Sequence, residues 1–168
     1  MSRTLLVVAL LAAGCGSEAD RSPASLEPAA VEDHECAACG MIVRDQPAPR
    51  GQLIHRDGTR VFLCSIADLV TYERAPSPHG APAATYVEVM AADADPADTS
   101  TAARPWRSVD RAGFVVGGLH RPVMGEPVLV FDDLATARAA AERLGSRAVD
   151  WEELKEALDE DGRVPGNE

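Results

Sequence analysis

From residue 52 onward, the apolar positions switch repeatedly between a period of two and a helical period. Gln52–His55 and Thr59–Leu63 are short β-rich runs flanking the turn sequence Arg56-Asp57-Gly58, which predicts a β-hairpin. Ile66, Leu69 and Val70 then recur at helical spacing behind Ser65, a helix-capping residue type, so a helix is expected to about Arg74, ended by Pro76 and Pro78. Thr85–Met90 alternates and predicts a strand, whereas Ala91–Pro105 has no period and is expected to be a mobile loop. The order then recurs. Gly113–Val116 and Val128–Phe131 predict strands joined by the loop Gly117–Pro127. Asp132 or Asp133 caps a helix with Leu134, Ala137, Ala141 and Leu144 on one face, Gly145 suits its C-terminal cap, and Arg147–Val149 follows as a short strand. Asp150 with Glu153 opens a last helix that turns Trp151, Leu154 and Leu158 inward.

Strand–strand–helix–strand therefore occurs twice. Cys64-Ser65-Ile66-Ala67 lines up with Asp132-Asp133-Leu134-Ala135 at the two helix starts. The expected class is α+β, with two similar ββαβ halves (about 34–92 and 106–158) packed side by side in a domain over 34–160, and a tail over 161–168. Hydrophobic residues make up 46% and aromatic residues only 4%, so the core rests on Val, Leu, Ile and Ala.

The N-terminus reads differently. Arg3 precedes an apolar stretch, Thr4–Ala13, that is too short to span a bilayer. Leu11-Ala12-Ala13-Gly14-Cys15 resembles a bacterial lipobox, which makes 1–14 a lipoprotein signal peptide and Cys15 the lipid attachment site; the alternative is an ordinary secretory signal with a chance cysteine. Gly16 in place of Asp favours the outer membrane in a Gram-negative cell. Residues 15–33, rich in Ser, Ala, Pro and acidic types, are expected to be a flexible tether. The formal charge of −11 comes without a basic run and argues against nucleic-acid binding.

The chemistry concentrates in His34-Glu35-Cys36-Ala37-Ala38-Cys39-Gly40-Met41. With Cys15 acylated, three thiols remain, Cys36, Cys39 and Cys64, and an odd number does not suit a purely structural disulfide. Cys36-x-x-Cys39 has three readings. A zinc site needs four ligands, so His34, Cys64 or a distant His would have to complete it. A thioredoxin-like pair lacks its following helix. A Cu(I) site needs only two or three soft donors, which Cys and Met41 supply. Met124, in the loop His120–Glu126, is placed to add a second thioether or to plug the core, and His120 is read as a surface residue. His55 and His79 look incidental, and Cys64 is expected to be buried and inert. No nucleophile elbow, phosphate loop or motif-placed carboxylate pair is present, so no catalytic set emerges.

The run Cys36-x-x-Cys39-Gly40-Met41 after a lipobox resembles the NosL family of nitrous oxide reductase accessory lipoproteins. So do Phe62-x-Cys64-Ser65-Ile66-x-Asp68-Leu69, Trp106, Phe114-Val115-Val116, Met124-Gly125-Glu126 and the helix from Asp133 to Gly145; together these cover about residues 34–158. The resemblance implies a periplasm-facing, membrane-anchored Cu(I)-binding protein, a copper chaperone and not an enzyme. It would deliver copper for the copper centres of nitrous oxide reductase in partnership with an ABC-type membrane complex. It also implies two ββαβ halves with a topology reminiscent of organomercurial lyase. The implied metal ligands are Cys39, Met41 and Met124, with Cys36 in reserve. The loop Ala91–Pro105 and His120-Arg121 depart from the family pattern. The competing readings are a thiol-dependent enzyme, either organomercurial-lyase-like or a disulfide oxidoreductase, and a structural zinc module. The lyase would require Cys39, Cys64 and Asp68 to converge.

Overall fold

The computed structural model describes residues 25–117 and 126–162. A 3₁₀ turn at Val43–Asp45 precedes the first sheet. That sheet contains β1 (Gly51–His55), β2 (Arg60–Leu63), β3 (Pro82–Glu88) and β4 (Trp106–Ser108) in the order β2-β1-β3-β4, with α1 (Ile66–Arg74) between β2 and β3 in the chain. The second sheet contains β5 (Gly113–Val116), β6 (Leu129–Phe131) and β7 (Arg147–Val149) in the order β6-β5-β7. Helix α2 (Leu134–Leu144) lies between β6 and β7 in the chain, and α3 (Trp151–Gly162) follows. All strand pairs are antiparallel.

Each half is thus the ββαβ unit that the repeated pattern predicts, and in both the first strand lies between the other two. The equivalence extends to single residues. Gly51 opposes Leu63 and Gly113 opposes Phe131 at the same place in the two ladders. Ser65 caps α1 by accepting from the Asp68 N–H, and Asp133 caps α2 by accepting from the Thr136 N–H. Both glycines lie where the central strand passes under its helix. A Cβ on Gly51 would meet Leu69 side-chain atoms at 2.7 Å, whereas one on Gly113 would meet the Asp133 carbonyl oxygen at 2.4 Å and the Leu134 Cα at 2.6 Å. Backbone cannot yield as a leucine tip can. Gly113→Ala is therefore expected to cost at least about 1–3 kcal/mol in urea unfolding, and Gly51→Ala less; equal costs would remove the explanation.

The main core joins the two halves: Leu53, Leu63 and Val87 of the first sheet, Ile66, Leu69 and Val70 of α1, Phe114 and Val130 of the second sheet, and Trp151 and Leu154 of α3. A second cluster, with Val115, Leu129, Phe131, Ala137 and Ala140, fills the space between the second sheet and α2. Asp150 and Glu153 form the expected reciprocal capping box at α3.

Three features depart from the sequence reading. Strand β4 carries no alternation long enough to register as a strand. Within the segment read as a tether, the chain makes a contact at Ala29, where the buried Gln52 amide exchanges hydrogen bonds with both backbone groups at 3.1 and 2.9 Å. The loop over 91–105 is irregular but held. Arg50 and Glu88, both fully buried, form a two-pronged ion pair at 2.6 and 2.8 Å. The remaining Arg50 donors reach the carbonyls of Arg44, Gln46, Thr101 and Ala102, and Glu88 also accepts from the Arg104 N–H. The segment has no hydrophobic period because its contacts run to one buried arginine.

Candidate metal centre

The sulfur run closes into a tight loop. The Cys36 N–H donates to the Met41 carbonyl at 2.7 Å, the Gly40 N–H to Cys36 at 2.8 Å and the Val43 N–H to His34 at 2.8 Å. Gly40 turns the chain with φ +74°, a conformation that side chains with a Cβ resist. The Ala37 N–H donates to the Phe62 carbonyl at 3.0 Å, and the His34 ring stacks on Phe62 at 4.1 Å. These contacts fix Cys36 and Cys39 beside the end of β2, where Cys64 precedes the Ser65 cap and Asp68 stands in the first turn of α1.

The ligand atoms of Cys36, Cys39, Cys64 and Asp68 all lie within 4.8 Å of one another. Cys39 Sγ is 3.5 Å from Cys64 Sγ, the Cys64 thiol donates to Asp68 Oδ2 at 3.4 Å, and the Cys64 N–H donates to Cys36 Sγ at 3.4 Å. Cys36 and Cys64 are buried, Asp68 is half-buried and Cys39 is exposed, so the cluster opens to solvent on the Cys39 side. All three thiols are free. Burial works to raise the Cys36 pKa, but the N–H groups of Cys64, Cys39 and Ala38 prevail and hold it below the usual thiol range. Cys64 is pushed far up, first by burial and then by its hydrogen bonds to Cys36 and Cys39, so it keeps its proton.

This donor set fits a soft ion. Two sulfurs sharing one ion at about 2.3 Å each stand at most about 4.6 Å apart, and the Cys39–Cys64 pair already lies inside that limit. Three sulfurs select Cu(I) or zinc over hard cations.

The structure places the Cys36 and Cys39 sulfurs in one cluster. It also brings in Cys64, which the sequence offers only as a completing zinc ligand, and Asp68, which it offers only under the lyase reading. Cys64 is buried as expected but is not isolated: its sulfur is the neighbour of Cys39. The available signal was positional, since a cysteine directly before a helix cap and an aspartate four residues on share the first turn. Met41 is half-buried and packs against the main core. Met124, His120 and Cys15 lie outside the described residues. Glu126, just beyond Met124, lines a small cavity with Pro49, Cys64 and Ser65, so the described end of that loop borders the cluster.

Fold and site together define a small α+β protein that presents a thiol-rich, soft-metal donor set at one open end. Residues 28–158 match the NosL family model, and the chain belongs to that family. It is 34% identical over 166 residues to the copper-binding lipoprotein NosL of Stutzerimonas stutzeri, covering 92% of this chain and 80% of that protein. Its fold is similar to the crystal structure of the copper chaperone NosL from Shewanella denitrificans, with a TM-score of 0.64 and 26% identity over 78% of this chain and 97% of that one. The solution structure of apo-NosL from Achromobacter cycloclastes is also similar, at 21% identity and a TM-score of 0.42 over 61% of this chain and 82% of that one.

Proposed function

We propose that this protein binds Cu(I) at the cysteine cluster and delivers it, by ligand exchange, for maturation of the copper centres of nitrous oxide reductase. The observation that carries the binding step is the convergence of three free thiols with one of them, Cys39, at the surface. Cys36 and Cys64 hold the ion from the buried side, and Met41 and Met124 are the thioether candidates. A ligand from the recipient approaches over Cys39, so copper passes through a shared intermediate without changing oxidation state. The relatives' names, a copper-binding lipoprotein and a copper chaperone, support the metal. The first of them, a lipoprotein by name, also supports anchoring in the cell envelope; we take the anchor to be lipid at Cys15, facing the periplasm, in the outer membrane of a Gram-negative cell because Gly16 and not Asp follows the cysteine. Among the described residues no helix is long and apolar enough to cross a membrane. A lipid tether raises the effective concentration of the donor at a membrane partner, which we take to be an ABC-type complex. The delivery step is tested by mixing Cu(I)-loaded protein with apo nitrous oxide reductase and that complex. Copper should appear in the enzyme; transfer no faster than from a Cu(I)–chelator solution would refute delivery.

A specific observation favours zinc as a second reading. Asp68 stands as a fourth donor beside the three thiols, the number a structural zinc site needs. The same convergence of Cys39, Cys64 and Asp68 meets the geometric condition of a lyase, but it serves a soft ion equally well, and the relatives' names describe copper binding. Copper and zinc separate by competition.

Because Cys64 holds its proton, metal binding must displace it. Cu(I) binding is expected to release protons, and the affinity is expected to rise with pH by up to about tenfold per unit for each proton displaced. A pH-independent affinity between pH 6 and 8, roughly the neutral range, would mean that Cys64 stays a thiol.

A further inference from the structure

At the opposite end of β1 from the cysteines, two imidazole rings, those of His55 and His79, lie close together. His55 is 1% exposed, and neither ring nitrogen has a hydrogen-bond partner. It lines a cavity of about 280 Å³ together with Leu53, Tyr72, Glu73 and Pro76. Glu73 Oε2 is also buried there without a partner. The His79 ring lies 5.4 Å from the His55 ring, tilted by 43°. Asp57 Oδ2 is 2.7 Å from His79 Nδ1, with Thr59 Oγ1 at 3.2 Å. This leaves His79 Nε2 as the outward nitrogen, oriented by a carboxylate in the manner of metal-ligating histidines.

A buried imidazole with both nitrogens unpaired carries a desolvation cost that a ligand would offset. The spacing identifies the ligand class. With metal–nitrogen distances of about 2.0–2.1 Å, two imidazoles on one tetrahedral ion place their ring centroids roughly 5 Å apart, close to the separation here. Imidazole is a borderline donor that suits divalent zinc or copper rather than magnesium or calcium. A small organic guest is the poorer fit, because the one oriented nitrogen belongs to His79, which does not line the cavity.

We propose that His55 and His79 form a second metal site, for a borderline divalent cation such as Zn²⁺, with Asp57 as the positioning residue for His79 and Glu73 supplying negative charge in the adjoining cavity. The site is independent of the cysteine cluster and of what that cluster carries. It gives a role to two histidines that the sequence pattern leaves incidental.

The test is a Zn²⁺ titration of the reduced protein followed by imidazole ¹⁵N NMR, which reads each histidine separately from the cysteines. The His55 and His79 resonances should shift together and saturate with one ion. His79→Ala, at an exposed position, should abolish the His55 response while circular dichroism stays unchanged. Asp57→Asn should weaken binding about 10–100-fold. Histidine resonances that stay fixed while Zn²⁺ binds elsewhere would overturn the proposal, as would a His55 response that survives His79→Ala. Failure of copper binding at the cysteines would leave these readouts untouched.

Discussion

Cys64→Ser is expected to weaken Cu(I) binding by more than about a hundredfold, beyond the 10–100-fold that outer-sphere changes cost a metal site. A hydroxyl is a hard donor and a poor exchange for a sulfur that lies 3.5 Å from Cys39 and within 4.8 Å of every other donor. The fold should tolerate the change, since Ser is close in size and the N-cap at Ser65 is untouched. Asp68→Asn should cost Cu(I) affinity much less, because Asp68 accepts the Cys64 thiol proton but is not itself a soft donor. If zinc is the resident ion, the ranking changes and Asp68→Asn becomes a serious loss. Chelator competition on the two variants, with thermal melts as a folding control, measures both. A Cys64→Ser protein that binds Cu(I) like the wild type would return Cys64 to the role of inert core residue.

Arg50→Met is expected to destabilise the protein by about 3–5 kcal/mol, the usual cost of leaving one partner of a buried ion pair alone. Glu88 would be left at zero exposure with only backbone N–H groups to face it. Four carbonyls, on both sides of the domain's irregular segments, would lose a donor. Two of them, Arg44 and Gln46, lie just after the sulfur loop, so the change should also loosen the metal end. Replacing both partners, as Arg50→Met with Glu88→Leu, should recover much of the loss. Urea unfolding decides: a cost below about 1 kcal/mol for Arg50→Met, typical of a surface pair, would contradict a buried network.

The repeated ββαβ order was legible because it rests on local signals. Ser65 and Asp133 announce their helices through cap chemistry, and the hairpin turn at Arg56-Asp57-Gly58 fixes its own register. What escaped the pattern depends on tertiary partners. Strand β4 exists because Trp106–Ser108 pairs with the edge of β3, and the 91–105 loop is ordered by an arginine some fifty residues away. The site divides in the same way. Cys36-x-x-Cys39 is readable as a soft-donor motif from its spacing alone. The contribution of Cys64 is not, because it follows from the Ala37–Phe62 hydrogen bond that docks one segment beside the other. His55 and His79 were unreadable for the same reason: neither has a sequence neighbour that marks it, and only the fold places their rings together.

The most direct test of the central claim is a Cu(I) titration of the reduced protein against a chromophoric Cu(I) chelator, with zinc added in parallel. One Cu(I) should bind tightly at the cysteines, be retained in excess zinc and be lost on combining Cys36→Ser, Cys39→Ser and Cys64→Ser. Weak Cu(I) binding that zinc displaces would contradict that claim and make the cluster a structural zinc site.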